Sequence, residues 1–159
     1  MNICETLTTN KTTIFIDPVL GDGGSLYPCQ EELSKEMYRL VRKAHVLTPN
    51  PTEAALLLGE KPSEYGVQKD GTISVALAED LVKDLASAYS RTLPIIKSVS
   101  EDDNIGVCVR FTPDNTDHLQ KPVTETILAR RSGNVSVGGT GDLFASLLIG
   151  KWLIQSLSV

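Results

Sequence analysis

The sequence predicts an α/β fold, a mostly parallel sheet layered with helices. Three observations predict it. Strand-like and helix-like segments alternate through the first half of the 159-residue chain, the order that demands crossover helices between parallel strands. Residues 13–16 are a β-branched and aromatic run that reads as a buried strand. A hydrophobic content of 41%, with no repeat, low-complexity tract or linker, suits one domain over residues 1–159 with a sizeable core. Residues 1–12 are polar and are expected to form a flexible N-terminus.

Each element follows from local chemistry. Asp17-Pro18 stops the first strand, because proline lacks a donor for the ladder. Residues 20–28 are Gly-rich and predict a loop. Over residues 31–44, Leu33, Met37, Leu40, Val41 and Ala44 fall on one helical face. Residues 46–48 predict a short strand, and 51–58 a short helix closed by Gly59. The polar, Gly/Pro-punctuated stretch 60–71 predicts a loop. Leu77, Ala78, Leu81, Val82, Leu85, Ala88 and Tyr89 mark a second amphipathic helix. Strands are predicted over 93–99, over 105–111 after the acidic turn Glu101-Asp102-Asp103-Asn104, and over 123–130. A final helix from Thr140 to about Gln155 is apolar on most sides (Leu143, Phe144, Leu147, Leu148, Ile149, Trp152, Leu153) and is expected to be buried.

Composition excludes several function classes. The net charge is −5 and no dense Lys/Arg cluster occurs, which argues against nucleic-acid or anionic-membrane partners. Residues 1–13 lack the apolar core of a signal peptide, and no run approaches a membrane span. Cys4, Cys29 and Cys108 are odd in number and widely spaced. They predict reduced thiols in a cytosolic protein, not a disulfide framework or zinc site. His45 and His118 have no partner at ligand spacing and predict surface or helix-end positions.

The chemistry concentrates in a few stretches. Gly139-Thr140-Gly141-Asp142 is a Gly-rich turn feeding an apolar helix. Backbone amides and the helix N-terminus together favour an anion there, and Asp142 lies in the same first turn. An anion cradle with a carboxylate beside it suits phosphoryl transfer to a hydroxyl. These residues are equally ordinary helix-start signals. No Walker A lysine or Gly-x-Gly-x-x-Gly pattern accompanies them. Asn50-Pro51-Thr52-Glu53 is explained as an N-cap, an N1 proline and a capping box. It is compatible at the same time with Asn50 and Glu53 orienting water around magnesium. Asp17 and Asp22 flank a tight Gly-rich loop, either as turn residues or as part of a cation site. Tyr27 suits core packing or a cover over ligand. In layered α/β folds ligands sit beyond the carboxyl ends of the strands, where Asp17, Thr48, Asn50 and Ser98 all fall and where the Gly139 turn should face.

Asp17-Pro18-Val19-Leu20-Gly21-Asp22, Gly24-Ser25-Leu26-Tyr27, Thr48-Pro49-Asn50-x-x-Glu53-Ala54 and Gly139-Thr140-Gly141-Asp142-Leu143-Phe144 occur here in the order they have in pyridoxal kinases. The chain therefore resembles that family, of the ribokinase-like superfamily, from about Thr13 to Leu153. The resemblance implies ATP-dependent phosphorylation of the 5′-hydroxymethyl group of pyridoxal, pyridoxine or pyridoxamine in a cytoplasmic enzyme, homodimeric in the full-length family. It implies Asp142 as base and the amides of Gly139, Thr140 and Gly141 as anion hole. Asn50, Ser98 and Thr140 would contact nucleotide. Asn50 and Glu53 would serve Mg2+, Asp17 and Thr48 a monovalent cation (K+ or Na+), with Asp22 in the adjoining loop and Tyr27 in the lid over substrate. Pyridoxal kinases carry a further half before the Asp-Pro-Val strand and closing helices after the Gly-Thr-Gly-Asp helix, so the ribokinase-like fold is expected to be incomplete at both ends and the isolated chain a poor kinase. Hydroxymethylpyrimidine kinase shares three of the motifs, and a non-catalytic nucleotide-binding fragment is the reading from another class.

Overall fold

A computed structural model describes residues 12–28, 31–113, 121–133 and 138–156. Cys4, Cys29, His118 and the expected flexible N-terminus up to residue 11 lie outside the described residues. The sheet order is β1-β4-β6-β7-β8, with β5 also paired to β6. β1 (Phe15–Ile16) runs parallel to β4 (Val46–Leu47), which runs parallel to the start of β6 (Leu93–Glu101). β5 (Ile73–Ser74) pairs in parallel with Val99 and Ser100 of β6. β7 (Asn104–Phe111) and β8 (Val123–Arg130) extend the sheet as an antiparallel meander. The result is a mixed sheet with mostly parallel strands flanked by helices, as the sequence predicts.

Two short elements are additions to that reading. β2 (Gly21–Asp22) and β3 (Ser25–Leu26) form a small hairpin inside the predicted loop. β5 opens the helix that follows it. All three strands are two residues long, too short to leave a periodicity.

The helices are α1 (Glu31–Val41), α2 (Pro51–Leu58), α3 (Val75–Ala88) and α4 (Thr140–Ser156). α2 has the boundaries the sequence predicts because its ends are chemically punctuated. Asn50 caps its first turn, proline stands at its start, and Gly59 closes it at φ 79° with its N–H on the Ala55 and Leu56 carbonyls. α3 buries Ala78, Leu81, Val82 and Leu85, and the Tyr89 hydroxyl donates to the Leu57 carbonyl at 2.7 Å, tying α3 to α2. These side chains, with Leu20, Val41, Leu47, Ile73, Ile96, Val99 and Cys108, form the core. His45 is neither at the surface nor at a helix end: half-buried in the bend before β4, it accepts the Ile14 N–H on Nδ1 at 2.9 Å, a structural role. Cys108 is buried in this core, and burial pushes its thiol above its ordinary range.

The apolar faces read from the sequence are not buried throughout. Leu33 on α1 and Leu77 on α3 are exposed, and so is Ala88. A helical face is wider than the stripe that touches the sheet, and these residues stand at its margin. The larger correction is α4. Leu143 is 60% exposed, Leu147 65% and Leu153 56%. The helix leans on the sheet through Trp152, whose ring meets Phe15 of β1 edge-on at 5.5 Å. An apolar circumference reports that a helix can be surrounded; it does not supply the surrounding elements. No described helix is long and apolar enough to cross a membrane.

Candidate functional site

The parallel strands end on one side of the sheet, and their carboxyl ends bring three polar side chains together. Asp17 follows β1, Thr48 follows β4, and Lys97 lies within β6. Asp17 Oδ1 accepts from Thr48 Oγ1 at 2.9 Å and from Lys97 Nζ at 2.5 Å. The side chains of Lys97 and Asp17 are 13% and 20% exposed, so this ion pair is largely withdrawn from water. The Lys97 N–H donates to the Pro49 carbonyl at 2.9 Å, holding β6 against the chain leaving β4. The pairing with β7 breaks register between Ile96 and Val99, and Ser98 takes φ 57°. A non-glycine residue in that region costs of order 1 kcal/mol. The break lies where the sequence predicts a nucleotide-contact position.

Lys97 also reaches the Gly-rich turn. Its Nζ is 3.2 Å from where a Cβ on Gly141 would stand. A larger residue there would press on the ammonium. Gly139, at φ 82°, precedes α4 and its carbonyl takes the Leu143 N–H at 3.0 Å, so the helix starts where the motif places it. Thr140 and Asp142 are both exposed in that first turn, with Gly141 half-buried between them. Gly141 of this turn thus stands beside the Lys97 ammonium.

A second set of bonds ties the β2–β3 hairpin to the start of α2. The capping box is complete. Asn50 Oδ1 accepts the Glu53 N–H at 2.9 Å, and Glu53 Oε2 accepts the Asn50 N–H at 2.8 Å. Each side chain also holds the hairpin: Asn50 Nδ2 donates to the Gly21 carbonyl at 2.8 Å, and Glu53 Oε1 takes the Leu20 N–H at 3.2 Å. Thr52 Oγ1 accepts from the Gly24 N–H at 2.9 Å. Glu53 is buried, and burial pushes its carboxyl from the ordinary 4.5 up to about 7. The Asn50 N–H, the Lys97 charge and the Leu20 N–H oppose that rise, and Asp17 adds to it.

Asp22 is exposed at the hairpin turn. It accepts its neighbour Gly23 N–H at 2.8 Å and packs against Gly71, the geometry of a turn residue. Tyr27 is 39% exposed. Its hydroxyl is pushed above the ordinary range by burial, then by the charges of Asp22 and Glu53. The proposed metal residues Asp17, Asp22, Thr48, Asn50 and Glu53 are therefore divided between three neighbouring positions. Among the described residues no three acidic, histidine or cysteine side chains converge as a preformed metal site. An open polar depression of about 750 Å3, lined among others by Asp70, Thr72, Asp103 and Arg131, touches none of these residues.

Sequence reasoning missed Lys97. The available signal was a lysine that interrupts the apolar run Leu93–Ile96 just before Ser98.

No protein-family model matches the chain. Solved structures do match. Pyridoxal kinase from Lactobacillus plantarum is similar at 28% identity and a TM-score of 0.65, over 94% of this chain and 50% of that one. Pyridoxal kinase from Leishmania donovani, in complex with ADP and ginkgotoxin, is similar at 25% identity and a TM-score of 0.63, over 91% of this chain and 43% of that one. A protein from Bacteroides thetaiotaomicron assigned as a phosphomethylpyrimidine kinase, in a crystal form with pyridoxal, matches at 27% identity and a TM-score of 0.64, over 94% and 48%. The class is thus a ribokinase-like kinase fold. Within it, the chain is similar to the solved pyridoxal kinases and spans about half the length of the kinases it matches.

The capping box offers a separable test. Asn50→Ala should cost about 1 kcal/mol for the cap and a similar amount for the Gly21 carbonyl left without its donor. Glu53→Gln should remove a pH dependence. With a folded value near 7 against 4.5 unfolded, folding favours protonated Glu53. Its stabilisation is full below pH 4.5 and is lost as pH rises through 7. Urea unfolding across that range should show the decline in wild type and not in Glu53→Gln. Parallel curves would remove Glu53 as its source.

Proposed function

We propose that this chain is the phosphate-side half of a kinase that transfers the γ-phosphoryl group of ATP to the 5′-hydroxymethyl group of a B6 vitamer. The observation that carries the proposal is the cluster of Asp17, Thr48 and Lys97 beside Gly141 at the start of α4. It combines a fixed cation, backbone amides and a first-turn carboxylate on the strand-end side of a kinase fold. Asp142 accepts the proton of the attacking hydroxyl. The amides of Gly139, Thr140 and Gly141 stabilise charge on the transferring group, and Lys97 adds a point charge on the same side. Ser98, Thr140 and Asn50 contact the nucleotide. Mg2+ would neutralise phosphate charge when bound. Glu53 and Asn50 would hold its waters, which suits an ion that keeps much of its hydration shell. Tyr27 and Asp22, on the hairpin, cover the substrate. The setting is a cytoplasmic enzyme acting on small molecules, homodimeric when complete.

The ADP complexes of the Leishmania enzyme, with pyridoxamine or pyridoxine also bound, support the nucleotide and vitamer assignments. The second reading is a hydroxymethylpyrimidine kinase, favoured by the Bacteroides match. The Gly21-Asp22 and Ser25-Leu26-Tyr27 hairpin, shared with pyridoxal kinases, supports the first. A titration of the chain with Mg-ATP, followed by phosphorylation assays on pyridoxal and on hydroxymethylpyrimidine with the complementary half supplied, tests both. Absence of nucleotide binding would sink either. Preference for the pyrimidine would select the second.

The resemblance also implies a monovalent cation at Asp17 and Thr48. The donor set there does not fit one well, since Asp17 Oδ1 is already taken by a hydroxyl and an ammonium.

A further inference from the structure

We propose that the Lys97 ammonium stands in for a monovalent cation at Asp17, so that the site carries its own counterion and selects neither potassium nor sodium. The argument is geometric. A monovalent ion at this position would need the Asp17 carboxylate to face it together with neighbouring neutral oxygen donors. Asp17 supplies the carboxylate and Thr48 the neighbouring oxygen, but Lys97 Nζ lies 2.5 Å from Asp17 Oδ1 and already places a cation against that oxygen. The Thr48 hydroxyl spends its proton on that same oxygen. Both charged side chains are largely withdrawn from water, so a second cation there would meet the ammonium with little screening. The ammonium is also fixed. The Lys97 backbone is bonded to the Pro49 carbonyl, and the end of the side chain lies beside Gly141. A tethered ammonium differs from a free ion in one functional respect: it is always present, at any salt composition. On the kinase reading above, on which this role in catalysis rests, the charge beside the Gly139–Gly141 turn is built into the strand rather than recruited.

The test uses the 159-residue chain without nucleotide, so its failure is distinct from failure of ATP binding. Thermal unfolding is compared in potassium, sodium and tetramethylammonium chloride at equal ionic strength, for wild type and Lys97→Thr. Wild type should show the same Tm in all three. Lys97→Thr, with an oxygen in place of the ammonium, should be stabilised selectively by potassium or sodium. At ten times the dissociation constant its folded-to-unfolded ratio should rise about tenfold. Selective stabilisation of wild type overturns the proposal. So does indifference of both proteins, because Lys97 would then not be what excludes the ion. Should Lys97→Thr be unfolded in every salt, a thallium(I) titration of wild type decides alone. Uptake that disappears in Asp17→Asn overturns the proposal, and no uptake upholds it.

Discussion

Replacing Asp142 by asparagine is expected to lower phosphorylation of pyridoxal by about 10²–10⁴-fold, the usual worth of a general base, while nucleotide affinity stays near that of the parent. The assay needs the complementary half of the fold present. The magnitudes separate a base from a helix-start residue. A carboxylate in the first turn of a helix contributes about 0.3–1 kcal/mol to stability through the helix dipole. A rate loss of that size range corresponds to about 3–5 kcal/mol of barrier. The Asp142→Asn change keeps the shape of the side chain and most of its local hydrogen bonding, so a small loss of stability with a large loss of turnover is the signature of the base. Equal turnover by the two proteins would assign Asp142 to the helix alone. The expectation rests on the position of Asp142 in the first turn of α4, still reached by solvent and next to Gly141, which stands against Lys97.

The second large effect concerns the chain by itself. The purified 159-residue protein is expected to self-associate and to phosphorylate pyridoxal far below the typical enzyme rate of about 1 s⁻¹. Leu143, Leu147 and Leu153 expose more than half their surface along one helix, and among the described strands β1 ends the sheet with an open edge. Contiguous apolar surface and an unpaired edge both promote association. The solved kinases that match are about twice as long, so surface that meets solvent here has room to be covered in a complete kinase. Trp152 is the sole tryptophan and sits on this helix, which gives a direct readout. Its emission should move to shorter wavelength as concentration rises, in step with light scattering, and Leu147→Glu should weaken both. A monomer at all concentrations that turns over pyridoxal at about 1 s⁻¹ or more would overturn the expectation.

Much of the architecture was legible because its boundaries are chemical. Asn50, Pro51 and Gly59 delimit α2 without reference to anything distant, and proline after Asp17 ends the first strand. The alternation of strand and helix through residue 99 carried the parallel sheet. What was illegible depended on partners remote in sequence. The β2–β3 hairpin is held to α2 by Asn50, Thr52 and Glu53, and no feature of residues 20–28 announces those bonds. The exposure of Leu33 and Leu77 depends on how much of each helix the sheet covers. The apolar run of α4 could be read, but whether anything surrounds it is a property of the whole assembly. At the site, strand-end placement flagged Asp17, Thr48 and Ser98. Lys97 escaped because strand residues were read for their contribution to the core, although its side chain leaves the core face and meets Asp17.

The position of β6 between two kinds of pairing sets an order of assembly. On one side it joins β7 through the turn at Asp102-Asp103, and β7 joins β8 in the same local fashion. Those ladders close short stretches of chain. On the other side Phe15 must find Val46, and Val46 must find Leu93, each across an intervening helical excursion. Loop-closure entropy grows with the length enclosed, and non-local parallel pairing is intrinsically slow. The meander therefore has the kinetic advantage, and the parallel side is added to it. Asp17, Thr48 and Lys97 come one each from the three strands of that slower side. A sheet that lacks either parallel pairing does not bring the trio together, so the charge cluster requires both.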